Sequence, residues 1–160
     1  MARKKIKIFV SYAHKNKKLA NELLDKINEL LAASKNFEFE MWLDSYIDVG
    51  EKWQGQILRA RDTADIGLLL VSPAFLASKF ISEKELPFYV GDLGKPMLPL
   101  MLAKVDFEHH DLKGLQGYQV YRLDSVKFKE PRSYSDLKSK RRDDFAWNVF
   151  QLIHKKLANK

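Results

Sequence analysis

At 160 residues, 46% of them hydrophobic, the chain is long enough for one domain with a real core and too apolar for disorder over most of its length. It has no cysteine, which excludes disulfides, thiol catalysis and thiolate metal sites and suits a reducing compartment. The net charge of +7 sits at the ends: residues 1–20 hold seven basic and no acidic side chains and residues 127–160 hold ten basic and four acidic, whereas the middle is net negative, so nucleic-acid binding is not expected.

Lys5 to Tyr12 (KIKIFVSY) reads as the first strand. Its apolar part, Ile6 to Val10, is too short for a signal-peptide core, and no run approaches the roughly 20 residues that span a bilayer. A soluble, cytoplasmic protein with no membrane partner is the expectation. Ala13 to Asn16 is a polar loop, with Asn16 placed to cap a helix marked by Leu19, Leu23, Leu24, Ile27, Leu30 and Leu31 at helical spacing. Phe37 to Asp44 (FEFEMWLD) alternates Phe37, Phe39 and Met41 against Glu38 and Glu40, a half-exposed strand near an edge. Ser45 to Glu51 is turn-rich, with Gly50 free to take positive φ. Trp53 to Ala64 is a short helix with Trp53 and Ile57 inward.

Ile66 to Val71 is apolar without alternation, the mark of a strand covered on both faces. Ser72-Pro73 ends it, and the serine can cap a following turn. A helix is expected from about Ser82 to Gly91. Pro96 to Ala103 is a further strand with an irregular start, and Gln119 to Leu123 a brief last one. Ser125 to Ser139 is a polar connection. From Asp143, the residues Phe145, Val149, Leu152, Ile153 and Leu157 mark the final helix. Strand and helix alternate about five times, which predicts an α/β domain, spanning 1–160, with a parallel five-stranded sheet and helices on both faces.

Several common occupants of such a sheet are missing. No GxxxxGK[ST] phosphate loop and no glycine-rich turn after the first strand occur; Ser11-Tyr12-Ala13-His14 stands there instead. The acidic residues of a phosphoacceptor are absent from the ends of the first and third strands, and Lys104 alone reads as an exposed side chain. His109 and His110 are adjacent, so their side chains diverge, and no metal site is expected. Ser72 precedes proline and lacks a glycine-flanked elbow. What remains at the strand ends is a small polar set: Ser11, Tyr12, Asp44, Ser72 and the pair Glu83/Glu85, with Trp53 nearby.

Three blocks, IFVSYAHKNKKLANEL at 8–23, MWLDSYIDVGEKWQGQI at 41–57 and ADIGLLLVSPAFLASKFISEKELP at 64–87, resemble the Toll/interleukin-1 receptor (TIR) domain of bacterial type, over about residues 5–157. The resemblance implies a flavodoxin-like parallel sheet. It implies an NAD+-cleaving enzyme that breaks the nicotinamide–ribose bond and gives nicotinamide with ADP-ribose or a cyclic isomer, in bacterial anti-phage defence. NAD+ is then the substrate, and no cofactor is needed. The family's catalytic glutamate follows a serine–aromatic pair after the third strand. Ser78-Lys79-Phe80-Ile81 leads to Glu85, which inherits the role, with Glu83 in reserve. Ser11, Tyr12, Asp44, Trp53 and Ser72 are the candidate substrate contacts.

Non-catalytic members only assemble, through the loop after the second strand, here Ile47, Asp48, Val49 and Gly50. The resemblance thus implies self-association, or contact with another TIR or effector protein that supplies trigger or reader. A nucleoside deoxyribosyltransferase is a third reading of the fold. Each residue also has a plain structural role open to it. Ser82-Glu83-Lys84-Glu85 has the form of a helix capping box. Trp53 has the spacing of a core side chain, Tyr12 could cover the sheet end, Asp44 and Ser72 could serve turns, and Ser11 could be structural alone.

Overall fold

The structure is a computed structural model, and it describes residues 3–43, 53–91 and 94–158. In chain order its elements are β1 (Lys4–Ser11), α1 (Lys17–Ala32), β2 (Phe37–Trp42), α2 (Trp53–Thr63), β3 (Ile66–Val71), α3 (Pro73–Ala77), a π-helical turn (Ile81–Glu85) running into α4 (Leu86–Tyr89), β4 (Met97–Met101) and α5 (Lys140–Ala158). The strands form a parallel sheet in the order β2-β1-β3-β4.

Alternation along the strands divides the core in two. Ile6, Ile8 and Val10 of β1, Ile66, Leu68 and Leu70 of β3, and Leu98 and Leu100 of β4 face α1 and α5, meeting Leu23, Leu24 and Ile27 from one helix and Phe145, Val149 and Ile153 from the other. Phe9, Leu69, Val71, Met97 and Met101 face the opposite way, toward Ile57 of α2, Phe75 and Leu76 of α3, and Leu86 and Tyr89 of α4. Every residue of β3 is buried, as its unbroken apolar run requires; each large side chain so covered contributes about 1.5–3 kcal/mol.

The expected fifth strand is reduced to a bridge. Tyr121 N–H donates to the Pro99 carbonyl at 2.8 Å and Met101 N–H to the Tyr121 carbonyl at 2.9 Å, but Leu123 then pairs antiparallel with Arg132. The polar chain after Asp124 turns back on itself there, which takes the segment away from β4. The final helix begins three residues earlier than Asp143, at Lys140. Among the described residues, no helix is long and apolar enough to cross a membrane.

The sheet order has a functional consequence. From β1 the chain steps to β2 on one side and then crosses to β3 on the other. The carboxyl ends of β1 and β3 therefore flank a topological switch point, where open α/β sheets leave a crevice.

Candidate active site

Ser11 is the last residue of β1 and points to the face occupied by Phe9; its side chain is buried. Ser72 follows β3 directly, also buried. Its hydroxyl accepts from Phe75 N–H at 3.0 Å, capping α3, and donates to Asn16 Oδ1 at 2.6 Å. Asn16 therefore does not cap α1 with its side chain. It ties the loop after β1 to the loop after β3 instead, because a buried serine hydroxyl needs an acceptor more than a solvated helix end needs a cap.

Glu85 comes from the segment after α3. Ser78 Oγ accepts from Ile81 N–H at 3.3 Å and opens a helical stretch over 79–89. The capping box at Ser82–Glu85 does not form: Ser82 lies inside this stretch, and its hydroxyl donates back to the Lys79 carbonyl at 3.2 Å. Pro87 supplies the reason for the π turn. It has no N–H for the Glu83 carbonyl and its ring crowds that carbonyl. The preceding turn widens, and Leu86 N–H reaches back to Ile81 O, five residues away. Single π turns of this kind gather at functional sites.

The widened turn sets the two acids apart. Glu83 is exposed, whereas Glu85 is only 6% exposed. Ser11 Oγ donates to Glu85 Oε2 at 3.1 Å. Glu85 also lines a cavity of about 310 Å³ with Tyr12, His14, Trp42, Ile57 and Phe80, at the small end of the range for ligand pockets. A buried carboxylate and three aromatic side chains, Tyr12, Trp42 and Phe80, opening past the exposed His14 and Lys15, could receive a flat ring joined to a polar, electron-poor group. Beneath it lies Tyr89, whose phenol is pushed up by burial first and by the Glu85 charge second.

Tyr12 lines this cavity, while Ser11 and Ser72 lie behind its wall, bonded to Glu85 and to Asn16. Trp53 opens α2, and its side chain is outside the described set, as are Asp44, Ile47, Asp48, Val49 and Gly50. Sequence reasoning passed over Trp42. It ends β2 on the face opposite Met41 and stacks on Phe9, ring centroids 5.7 Å apart and planes 13° from parallel. Its signal was an aromatic residue at the carboxyl end of a strand beside the switch point.

Two other cavities lack a buried carboxylate. One of about 310 Å³ lies between β2 and α2, with the exposed Glu40 on its wall. One of about 980 Å³ lies past β4, where Lys104 pairs with Glu130 at 3.4 Å and Arg122 lies over Phe107. In that region Asp106 accepts from His109 Nδ1 at 2.9 Å, and His110 Nδ1 accepts from Asp106 N–H, so both histidines close their own loop.

No curated protein matches the chain. A family model described as TIR domain matches residues 8–139, a span that takes in the carboxyl half of β1, the switch point, the buried Glu85 and the cavity beside it. The chain belongs to the TIR domain family.

Proposed function

We propose that this TIR domain cleaves NAD+ at the nicotinamide–ribose bond, with Glu85 as the catalytic carboxylate. The observation that carries the reading is a buried glutamate on the wall of a cavity at the switch point, flanked by Tyr12 and Trp42. The chemistry needs little else. Nicotinamide leaves with the bonding electron pair as a neutral molecule, so no general acid is required. The barrier comes from positive charge growing on the ribose carbon. A fixed carboxylate stabilises that charge and accepts from the ribose hydroxyls. Water then adds to the ribose carbon and loses a proton, giving ADP-ribose; when an adenine nitrogen of the same molecule adds instead, the product is a cyclic isomer.

In this reading Tyr12 and Trp42 wall the nicotinamide and Ser11 holds Glu85. Ser72 braces the two loops through Asn16. Asp44 and Trp53 remain in the proposal as substrate contacts from the family resemblance alone. We assign the nicotinamide riboside end to this cavity, and the basic Lys15 on its exposed rim suits the diphosphate beyond. TIR domains work through contacts with one another, so a second copy or a partner TIR protein completes the active assembly. A place in bacterial anti-phage defence, by depleting NAD+ or making a cyclic signal in the cytoplasm, follows from the same resemblance.

The test is to incubate purified protein with NAD+ over a wide range of protein concentration and separate the products by chromatography. Nicotinamide release that rises with protein concentration, and is lost in Glu85→Ala, supports the reading. Turnover unchanged in Glu85→Ala removes Glu85 from the mechanism. No release under any assembled condition leaves a docking module acting through residues 47–50. Nucleoside exchange without NAD+ cleavage favours the transferase.

A further inference from the structure

Between the end of α2 and the turn carrying Glu85 lies a set of contacts that the proposed chemistry does not itself require. The Arg61 guanidinium, on the last turn of α2, donates from Nη1 to the carbonyl of Lys84. That carbonyl belongs to the peptide bond leading into Glu85. The same guanidinium lies 4.3 Å from the centroid of the Phe88 ring, in α4, and pairs with Asp62 at 2.7 Å. Its side chain is only 18% exposed.

Lys95 closes the arrangement. Its ammonium lies 5.1 Å from the Phe88 centroid. It donates to the carbonyls of Arg61, Asp62 and Ala64, where the negative end of α2 favours a cation. Its backbone N–H donates to the Phe88 carbonyl at 3.3 Å. The end of α2 is therefore clasped to the helix that follows Glu85, with Phe88 beside both cations. This matters because of the π turn. Pro87 removes a backbone donor from the interior of that helix, so Glu85 stands where the helix's own hydrogen bonding is weakest. An external donor to the Lys84 carbonyl fixes the peptide plane that the ladder alone holds less firmly.

We propose that Arg61 is a positioning residue for Glu85: by holding the Lys84–Glu85 peptide plane, it sets the aim of the carboxylate into the cavity. The kinetic consequence rests on the NAD+-cleaving reading; the structural consequence does not. Misplacing a catalytic group by about 1 Å costs on the order of a hundredfold in rate. Loss of Arg61 should thus lower kcat while leaving KM little changed, because Arg61 is absent from the cavity wall.

Arg61→Met tests this, since it keeps an apolar stem over Phe88 and removes every donor. Protein labelled with carbon-13 at the glutamate carboxyls reports Glu85 directly, its resonance assigned with Glu85→Gln. Arg61→Met is expected to move that resonance, to speed amide exchange across 81–89 at least tenfold while exchange in β1 stays as in the parent, and to lower kcat for NAD+ cleavage about tenfold to a hundredfold with KM within about twofold. Arg61→Lys, which restores one donor, should recover part of each change. An unmoved Glu85 resonance with unchanged exchange over 81–89 in folded Arg61→Met overturns the proposal. If Arg61→Met does not fold, Arg61→Gln, whose shorter, uncharged side chain loses the reach to the Lys84 carbonyl, is measured in its place, and a parent-like Glu85 resonance and exchange there overturn the proposal. If the parent releases no nicotinamide, the enzymatic reading fails by itself, and the resonance and exchange still decide whether Arg61 positions Glu85.

Discussion

Ser11 and Glu85, separated by 74 positions in the chain, meet at 3.1 Å with both side chains buried, the serine hydroxyl donating to Oε2. The contact joins the carboxyl end of β1 to the π turn after α3, and so links the middle of the sheet to the acid proposed to carry the chemistry. Ser11→Ala leaves a buried carboxylate oxygen without this donor, which is expected to cost about 1–3 kcal/mol. It also loosens the aim of the carboxylate, so NAD+ cleavage should slow about tenfold, a misaimed-group effect smaller than outright loss of the acid. Denaturant titration and nicotinamide release check the two effects. Parent-like stability and rate together would mean that Ser11 does not hold Glu85.

Trp42 presents the second test. It stacks on Phe9 and lines the cavity with Glu85. Trp42→Ala removes a wall of the site and an aromatic pair worth about 0.5–1.5 kcal/mol beyond the area it buries. The expected result is a rise in KM of about tenfold, with Trp42→Phe intermediate because it keeps a ring over Phe9. Steady-state kinetics over a range of NAD+ concentrations measure this, and an unchanged KM in Trp42→Ala would place the nicotinamide elsewhere.

Trp42 also shows where a linear reading stops. The alternation of Phe37, Phe39 and Met41 marks one face of β2 as inward and leaves Trp42 with the glutamates. That description suits an edge strand and breaks down at its carboxyl end, where α2 covers the other face. The four paired strands were legible, the central one most of all, because Ile66–Val71 is apolar on both faces and only a central strand is buried that way. The capping box was present as a pattern but not as a structure: Ser78 opens the helix earlier, and Pro87, two residues past Glu85, decides which way the acid turns. No local rule links a proline to the burial of a residue before it. The Asn16–Ser72 bond was equally invisible, since it joins two loops that only the sheet brings together.

Gly67 and Tyr89 form a tight pair beneath the site. A Cβ built on Gly67 falls 2.5 Å from Tyr89 Cε1, so the glycine is what lets the ring lie against β3. Gly67→Ala is expected to cost about 1–3 kcal/mol through overpacking. The Tyr89 hydroxyl, in turn, has no hydrogen-bond partner among the described residues. Tyr89→Phe should therefore raise stability by about 1 kcal/mol, the desolvation no longer incurred. Denaturation midpoints of both variants check the pair, and a destabilised Tyr89→Phe would reveal a partner for the hydroxyl.

Alkaline pH supplies the last test. Burial pushes the phenols of Tyr89, Tyr121 and Tyr134 above the ordinary tyrosine value. The charge of Glu85 adds to this at Tyr89 and the hydrogen bond to Glu22 adds to it at Tyr134. An acid whose pKa is higher folded than unfolded keeps its proton longer in the native state. Its contribution is complete below the unfolded value of about 10 and is lost as pH climbs from there toward the folded value. Each such phenol steepens the loss by up to about 1.4 kcal/mol per pH unit inside that window. Urea midpoints should be flat from pH 8 to about 9.5 and fall steeply beyond pH 10. Tyr89→Phe should be less steep there, since its ring no longer ionises on unfolding. A parent curve still level at pH 11, or a Tyr89→Phe curve as steep as the parent's, would show that ionisation of this phenol does not limit the folded state.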